Sequence, residues 1–356
     1  MSIKITWKQF IRQAVSDWFG KEVQTGYTYS YVWMTNQFGH FNLGFLFSYF
    51  CYFLAVLIFT VQSASRWLFV IPLVWFLFWC IKEIRDYFKA VREATAKNVF
   101  PVVKIDIALD AGTAVLFIGI GLISAYISWY NALGAILSFI VSLIIAIFPA
   151  HYWMVRKMYF QQSGLPFQYR LSDFGVKLKS TISDAASDPS QSLVASTLSF
   201  INDNNSIWKH MIVFGAYKTG KTSLVVGIGT EKAFTKGVVC YSSYFKFLQL
   251  LSDNTANSNG DGYQTQWNWN DSDIMIVDDI NPYINNLSLL TPAEFENAFR
   301  KISAQNLQLL LQRKTVWALG ITNADTDALI DQWHSVFERV LSCSKTNIGK
   351  IVLKNP

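Results

Sequence analysis

Long apolar runs without charged residues occupy much of the first 155 positions of the chain, whereas short apolar runs alternate with polar turns in the rest. A helix needs about 20 apolar residues to cross a membrane, and shorter runs can cross when flanking Lys or Arg side chains reach the interface. The pattern predicts an all-α membrane domain over 41–155, with four transmembrane helices in two hairpins. The predicted spans are 41–61, 67–81, 111–130 and 133–153, of which the short 67–81 also fits a re-entrant segment.

Basic residues indicate the orientation of this predicted domain. They concentrate in 1–40, in 82–104 and directly after the last span, whereas the turns inside the hairpins carry only Arg66. Lys and Arg favour the cytoplasmic side of a membrane. We therefore expect a multi-pass protein of the cytoplasmic (inner) membrane with both termini in the cytoplasm. Residues 1–40 would be a cytoplasmic or interfacial segment, and 82–104 a cytoplasmic helical loop.

The second half of the chain has the pattern of an ordinary globular domain. We predict a linker over 156–205 and a domain over 206–356. The net charge of +6 divides into +4 for residues 1–155 and +2 for the remainder, so the second domain lacks the strongly basic surface of a nucleic-acid binder. The four cysteines are scattered without metal-ligand spacing, which favours buried thiols in a reducing compartment.

Residues 215–222 fit the phosphate-loop pattern G-x-x-x-x-G-K-[S/T] at every fixed position. An apolar run precedes them and a helix-compatible stretch follows, so the predicted order is strand, glycine turn, helix. Such a turn lets backbone N–H groups converge on phosphate oxygens, and a helix N-terminus favours negative charge. We expect Lys221 to reach the β- and γ-phosphates of ATP, and the Thr222 hydroxyl to bind Mg²⁺. The predicted nucleotide-binding residues are Gly215, Ala216, Tyr217, Lys218, Thr219, Gly220, Lys221, Thr222 and Ser223.

A second apolar run, 274–277, ends in two acidic residues. A buried strand of this kind would bring Asp278 to Mg²⁺ and Asp279 to the attacking water. A further predicted strand, 315–323, ends at Asn323, where a γ-phosphate sensor would lie. Arg339 would act as an arginine finger at a neighbouring subunit's nucleotide or form an ion pair on a helix surface. The predicted catalytic residues are thus Lys221, Asp278, Asp279, Asn323 and Arg339, and the predicted metal ligands are Thr222 and Asp278.

Several of these stretches resemble the AAA+ clade of bacterial replication initiators, helicase loaders and insertion-sequence transposition helper ATPases. They are 220–224, 242–248, 273–280, 291–295 and 336–353. The resemblance covers about 150 residues and implies an α/β P-loop NTPase with an AAA+-like core and a parallel sheet. Little chain follows the last predicted strand, so we expect the helical lid of that clade to be absent. Asp279 stands where Glu is more usual, which suggests slow turnover.

These patterns together predict a membrane-anchored, cytoplasm-facing ATPase that uses ATP and Mg²⁺ to drive or regulate a protein partner or a membrane assembly, as a homo-oligomer. One alternative is a nucleotide-gated membrane switch with little turnover. A third possibility is the membrane-tethered DNA-handling ATPase that the resemblance implies. The segment 252–273 contains no Lys or Arg, which favours contact with protein over contact with nucleic acid.

Overall fold

The computed structural model of the chain describes residues 4–12, 29–58, 61–97, 100–130, 132–174, 193–203, 206–252, 267–281, 290–321 and 327–353. Contacts divide the chain into two compact units. The helical unit comprises Ile5–Ala96 and Val102–Val155, and the sheet unit lies mainly within Arg156–Pro356.

Long helices make up most of the described part of the helical unit. They are α1 (Tyr29–Ile58), α2 (Val61–Lys97), α3 (Lys104–Tyr130) and α4 (Ala132–Gln162), of which the last turns of α4 belong to the sheet unit. Within the described residues, two stretches are long and apolar enough to cross a membrane: Asn36–Ile58 in α1 and Lys104–Trp129 in α3. Helix α2 is unbroken from its apolar part into the basic stretch for which the sequence predicts a cytoplasmic location.

Helices α1 and α3 pack closely and run in the same direction. Gly44 of α1 lies against the backbone at Ile118, and Gly121 of α3 lies against the backbone of α1. A Cβ atom at either glycine would collide with the facing carbonyl oxygen, and small residues of this kind let two helix backbones approach. Further along, the hydroxyls of Tyr49 and Ser128 form a hydrogen bond. Residue numbers rise together on both helices, which makes α1 and α3 a parallel pair.

The sheet unit is an α/β fold in which the described residues form a five-stranded parallel sheet, in the order β2-β3-β4-β1-β5. The strands are β1 (His210–Gly215), β2 (Val239–Ser243), β3 (Ile274–Ile280), β4 (Lys314–Gly320) and β5 (Ile348–Leu353). The helices are α5 (Leu193–Asn202), α6 (Lys221–Phe234), α7 (Tyr244–Ser252), α8 (Pro292–Phe299), α9 (Ala304–Leu311) and α10 (Asp327–Val340). Short 3₁₀ turns cover Leu171–Asp173, Trp269–Asp271 and Lys345–Asn347. The predicted α/β class with a parallel sheet is confirmed.

Strands β1, β3 and β4 are buried along almost their whole length. Parallel strands are covered on both faces, so they occur in the sequence as continuous apolar runs rather than alternating ones. On one side of the sheet, the rings of Phe295, Trp317 and Phe337 contact one another and form the centre of the core. The strand predicted over 315–323 is shorter in the structure, where β4 ends at Gly320.

Within the sheet unit, the stretch that follows α4 packs against helix α6. Two glycines in α6 leave room for it: a Cβ at Gly227 would lie 2.7 Å from Leu171, and one at Gly229 would lie 3.0 Å from Leu165. Arg170 donates two hydrogen bonds to Glu231 of α6, at 2.7 and 3.0 Å. The predicted linker, 156–205, therefore includes the end of α4, this packed stretch and α5. The serine-rich part of that linker, 183–190, lies outside the described residues.

Candidate functional site

The glycine-rich loop lies at the carboxyl end of β1, near the centre of the sheet. Its first residue, Gly215, pairs with Gly320 of β4 on one side and with Leu353 of β5 on the other. Helix α6 begins at the loop's end, at Lys221. In open parallel sheets, ligands bind beyond the carboxyl ends of the strands. The loop therefore occupies the edge of the sheet at which α/β proteins place their ligand sites.

The loop adopts a conformation that requires its glycines. Gly220 has φ 91° and ψ 17°, in the left-handed region that glycine enters without strain. A Cβ at Gly215 would collide with the Thr219 hydroxyl and would crowd Lys221. Thr219 is buried, and its hydroxyl donates to the Ala216 carbonyl at 2.9 Å. At the tip, Tyr217 and Lys218 are exposed, and Lys218 has φ 64°.

The N-terminus of α6 offers backbone donors at the loop. The first four N–H groups of a helix have no acceptor within the helix, and the helix dipole makes that end positive. The residue at the cap position is Gly220, which has no side chain to accept from them. Thr222 and Ser223, in the first turn, are partly exposed. This end of α6 is suited to an anion.

The Lys221 side chain folds back over the loop. Its ammonium donates to the Ala216 carbonyl at 2.7 Å. Burial lowers the pKa of Lys221, and the charges of Asp278 and Asp279 oppose that shift. The hydrogen-bond partner of this partly buried ammonium is neutral, and a charge partly removed from water is stabilised further by a negatively charged partner. The position of Lys221 therefore favours an anionic ligand.

The two acids lie at an irregularity near the end of β3. The pairing of β3 with β4 shifts its register between Val277 and Ile280, and breaks of this kind in a strand's pairing are common beside active sites. Asp278 is buried, with 2% of its surface exposed. Its Oδ1 accepts from the Asp279 N–H at 2.8 Å, and its Oδ2 accepts from the Tyr241 hydroxyl at 2.9 Å. Both oxygens of this carboxylate are thus held by donors.

Asp279 adopts a strained backbone conformation and points its side chain toward solvent. Its φ is 58°, which costs energy for a residue other than glycine. Partial removal of hydration raises the pKa of the Asp279 carboxyl; the neighbouring Asp278 charge adds to the rise, and Lys221 opposes it. Lys221, Asp278 and Asp279 therefore form one electrostatic cluster, although β4 lies between the strands that carry the loop and the acids. Sequence reasoning placed all three in one site.

Tyr241 and Asn281 are polar residues of this region that the sequence prediction missed. Tyr241 lies in β2 and binds Asp278. Asn281 is buried just after β3, has φ 53°, and accepts from the Leu290 N–H at 3.1 Å. The dipeptide Asn281-Pro282 is a turn signal in the sequence that could have indicated the end of β3. The sequence holds no comparable signal for Tyr241.

Two further residues, Asn323 and Arg339, were predicted for this site. Asn323 lies outside the described residues. Arg339, in α10, forms an ion pair with Glu296 of α8 at 2.7 Å, and 56% of its side chain is exposed. Hydrogen bonds from Arg339 and then Arg300 lower the pKa of Glu296. The surface ion pair that the sequence allowed for Arg339 is therefore present, and its role at a neighbouring subunit stays a prediction.

Comparison with known proteins adds no relative. No protein-family model matches the chain, and no curated protein matches it either. Among the described residues, no group of three or more His, Cys, Asp or Glu side chains is placed to hold a metal ion by itself. The α/β fold, the loop geometry and the cluster of one lysine with two acids are therefore the observations on which a functional proposal rests.

Proposed function

We propose that the chain is a membrane-anchored ATPase whose sheet unit binds ATP and Mg²⁺ at the loop 215–222. One observation carries the proposal: the half-buried Lys221 lies at the start of α6, where the charges of Asp278 and Asp279 from β3 act on its ammonium. A phosphate-binding lysine beside a metal-binding carboxylate is the arrangement that phosphoryl-transfer enzymes of this type use. The sequence pattern of the loop and the parallel sheet support the same proposal.

The residues present fit a nucleotide's phosphates. The left-handed Gly220 and the crowded Gly215 give the loop a tight turn at the start of α6. Phosphate oxygens would accept from the first-turn N–H groups of α6 and from Lys221, which would exchange its neutral carbonyl partner for an anion. The predicted binding set, residues 215–223, is thus suited as a whole to the β- and γ-phosphates.

The residues also fit Mg²⁺ bound together with a nucleotide. This ion takes one or two carboxylates together with substrate phosphates and water, so it needs no cage of several protein ligands. Thr222 and Asp278 are the residues that would hold it. When bound, Mg²⁺ neutralises charge on the phosphates and so assists transfer. Asp279, exposed and with a raised pKa, would orient the attacking water.

The parallel sheet supports the AAA+-like core that the resemblance in the sequence implies. Here β4 lies between β1 and β3. Asn323, the proposed γ-phosphate sensor, follows the end of β4 by three residues in the sequence. For Arg339 to act on a neighbouring nucleotide, it would have to leave Glu296.

We further propose four spans in two hairpins, with α2 and α4 completing the pairs that α1 and α3 begin. In such a topology the first and third spans run in the same direction, and the parallel packing of α1 and α3 supports this. The basic residues then place both termini in the cytoplasm of a cytoplasmic-membrane protein. ATP would act there, in a homo-oligomer, on a protein partner or on the membrane helices.

The first test is ATP binding by the full chain in detergent. Lys221→Ala should abolish binding and leave membrane insertion unchanged, because the lysine is a phosphate ligand far in sequence from the predicted spans. Lys345→Ala removes an equal charge from an exposed turn at the amino end of β5, outside residues 215–223, and serves as the matched control. ATP affinity that is equal in both variants would refute the site assignment.

Turnover separates the ATPase from the nucleotide-gated switch. Steady-state hydrolysis that a protein partner stimulates supports the ATPase. Tightly retained nucleotide with negligible turnover supports the nucleotide-gated switch. Binding of DNA at low salt, where electrostatic attraction is strongest, would instead favour the DNA-handling alternative.

A further inference from the structure

Tyr241 contacts the acid cluster from the neighbouring strand. It is the third residue of β2, which pairs in parallel with β3. Its hydroxyl lies 2.9 Å from Asp278 Oδ2. The hydroxyl is the donor in this hydrogen bond, because an ionised carboxylate can only accept.

The two hydrogen bonds to Asp278 restrict the rotation of its carboxylate. Oδ1 is held by the N–H of Asp279, and Oδ2 is held by the hydroxyl of Tyr241. With the phenol removed, Oδ2 would lose its donor, and the group could rotate about the bond that joins it to Cβ. A metal ligand needs a defined direction for its lone pairs, and groups that bind a ligand's other oxygen commonly supply it.

Tyr241 is itself held on both sides. β2 is an edge strand of the sheet, and edge strands are free to shift unless something covers them. The backbone N–H of Tyr241 donates to the Ser163 carbonyl at 2.9 Å. Ser163 belongs to the turn that follows α4, and its hydroxyl donates to the Phe160 carbonyl at 2.5 Å. Tyr241 therefore lies on a strand that pairs with β3 on one side and is hydrogen-bonded to the turn after α4 on the other.

We propose that Tyr241 is a positioning residue that holds the Asp278 carboxylate in the rotation required for Mg²⁺, an inference that rests on the proposed ATP–Mg²⁺ site. Tyr241 does not touch the nucleotide or the metal; it acts through Asp278. The expected consequence is specific. Loss of the phenol should weaken the response to Mg²⁺ and leave the affinity for metal-free ATP unchanged.

The test uses Tyr241→Phe and Tyr244→Phe in the full chain. Each removes one hydroxyl from a tyrosine of the sheet unit, but the Tyr244 hydroxyl is buried and finds no hydrogen-bond partner among the described residues. The measurement is binding of a fluorescent, non-hydrolysable ATP analogue, first without metal and then as a titration with Mg²⁺. Removal of a partner that orients a metal ligand commonly weakens metal binding by about 10- to 100-fold. We expect a rise of that size in the half-saturating Mg²⁺ concentration for Tyr241→Phe and none for Tyr244→Phe.

The outcomes distinguish this inference from the proposed function. A wild-type chain that responds to Mg²⁺, with a half-saturating concentration in Tyr241→Phe within about twofold of wild type, overturns the role of Tyr241 and leaves the ATP site standing. A loss of metal-free binding in Tyr241→Phe also overturns it, because the defect would then be general. A wild-type chain that shows no Mg²⁺-dependent binding overturns both proposals together.

Discussion

The substitution His210→Gln should reduce the sensitivity of the sheet unit to acid. His210 begins β1, its side chain is buried, and its Nδ1 lies 2.8 Å from the Thr315 hydroxyl oxygen. Trp317 Nε1 donates to the same oxygen, which leaves the Thr315 proton free for donation to Nδ1. This arrangement suits the neutral imidazole. Burial, with a smaller contribution from the Lys209 charge, lowers the pKa of His210 to about 3.

The size of the stability change follows from the difference in the pKa of His210 between the folded and unfolded states. The ordinary pKa of the imidazole is 6.5, so below that pH the unfolded chain binds a proton that the folded chain excludes. The contribution of His210 to stability is complete above about pH 6.5 and is lost as the pH falls toward about 3. Each pH unit in this window removes about 1.4 kcal/mol. Lowering the pH from about 7 to about 4.5 should therefore remove about 2.5 kcal/mol through this residue.

Denaturant unfolding of the full chain in detergent, followed by near-ultraviolet circular dichroism, measures the effect at the two pH values. The wild type should lose about 2.5 kcal/mol more than His210→Gln between them. Carboxylates that also titrate in this range contribute equally to both proteins and cancel in the comparison. An equal loss in both would refute the reasoning, since it would show that His210 takes up a proton without unfolding.

Two further substitutions test local packing. Gly215→Ala should weaken ATP binding by about 5- to 150-fold, because a Cβ there collides with the loop and overpacking of this kind costs about 1–3 kcal/mol. The control is Gly237→Ala, whose Cβ first meets a flexible lysine side chain. Equal ATP affinities of the two variants would contradict the prediction. Gly44→Val should lower the melting temperature of the helical unit in detergent, since its side chain would push α1 from α3. The control is Gly39→Val in the same helix, where a Cβ meets nothing within 4 Å. An equal fall in the melting temperature of both variants would contradict the prediction, because it would result from valine in α1 and not from the contact with α3.

The elements that carry the site could be predicted because their signals are local. The strand before the loop and the strand before Asp278 are fully buried, so each occurs as an unbroken apolar run. The glycines of the loop are demanded by the backbone itself, as the left-handed Gly220 shows. These features depend on a residue and its near neighbours in sequence, and a pattern in the sequence reports them directly.

The features that the sequence did not reveal depend on contacts between distant segments. Tyr241 and Asp278 are 37 residues apart, and nothing near either residue indicates that they meet. The packing of the 163–174 stretch on α6 is similar: Gly227 and Gly229 weaken a helix in isolation, and they make sense only once Leu165 and Leu171 lie against them. The ion pair of Arg339 likewise needs α8 and α10 side by side.

The most direct test examines the two parts of the proposed function together, the membrane anchor and the ATP site that faces the cytoplasm. Inside-out and right-side-out vesicles from cells that make the full chain are incubated with a membrane-impermeant photoreactive ATP analogue and Mg²⁺. The account predicts labelling of the chain in inside-out vesicles, within the loop 215–222, and little labelling in right-side-out vesicles or in Lys221→Ala. Labelling from the outer face, or labelling that Lys221→Ala leaves unchanged, would contradict it.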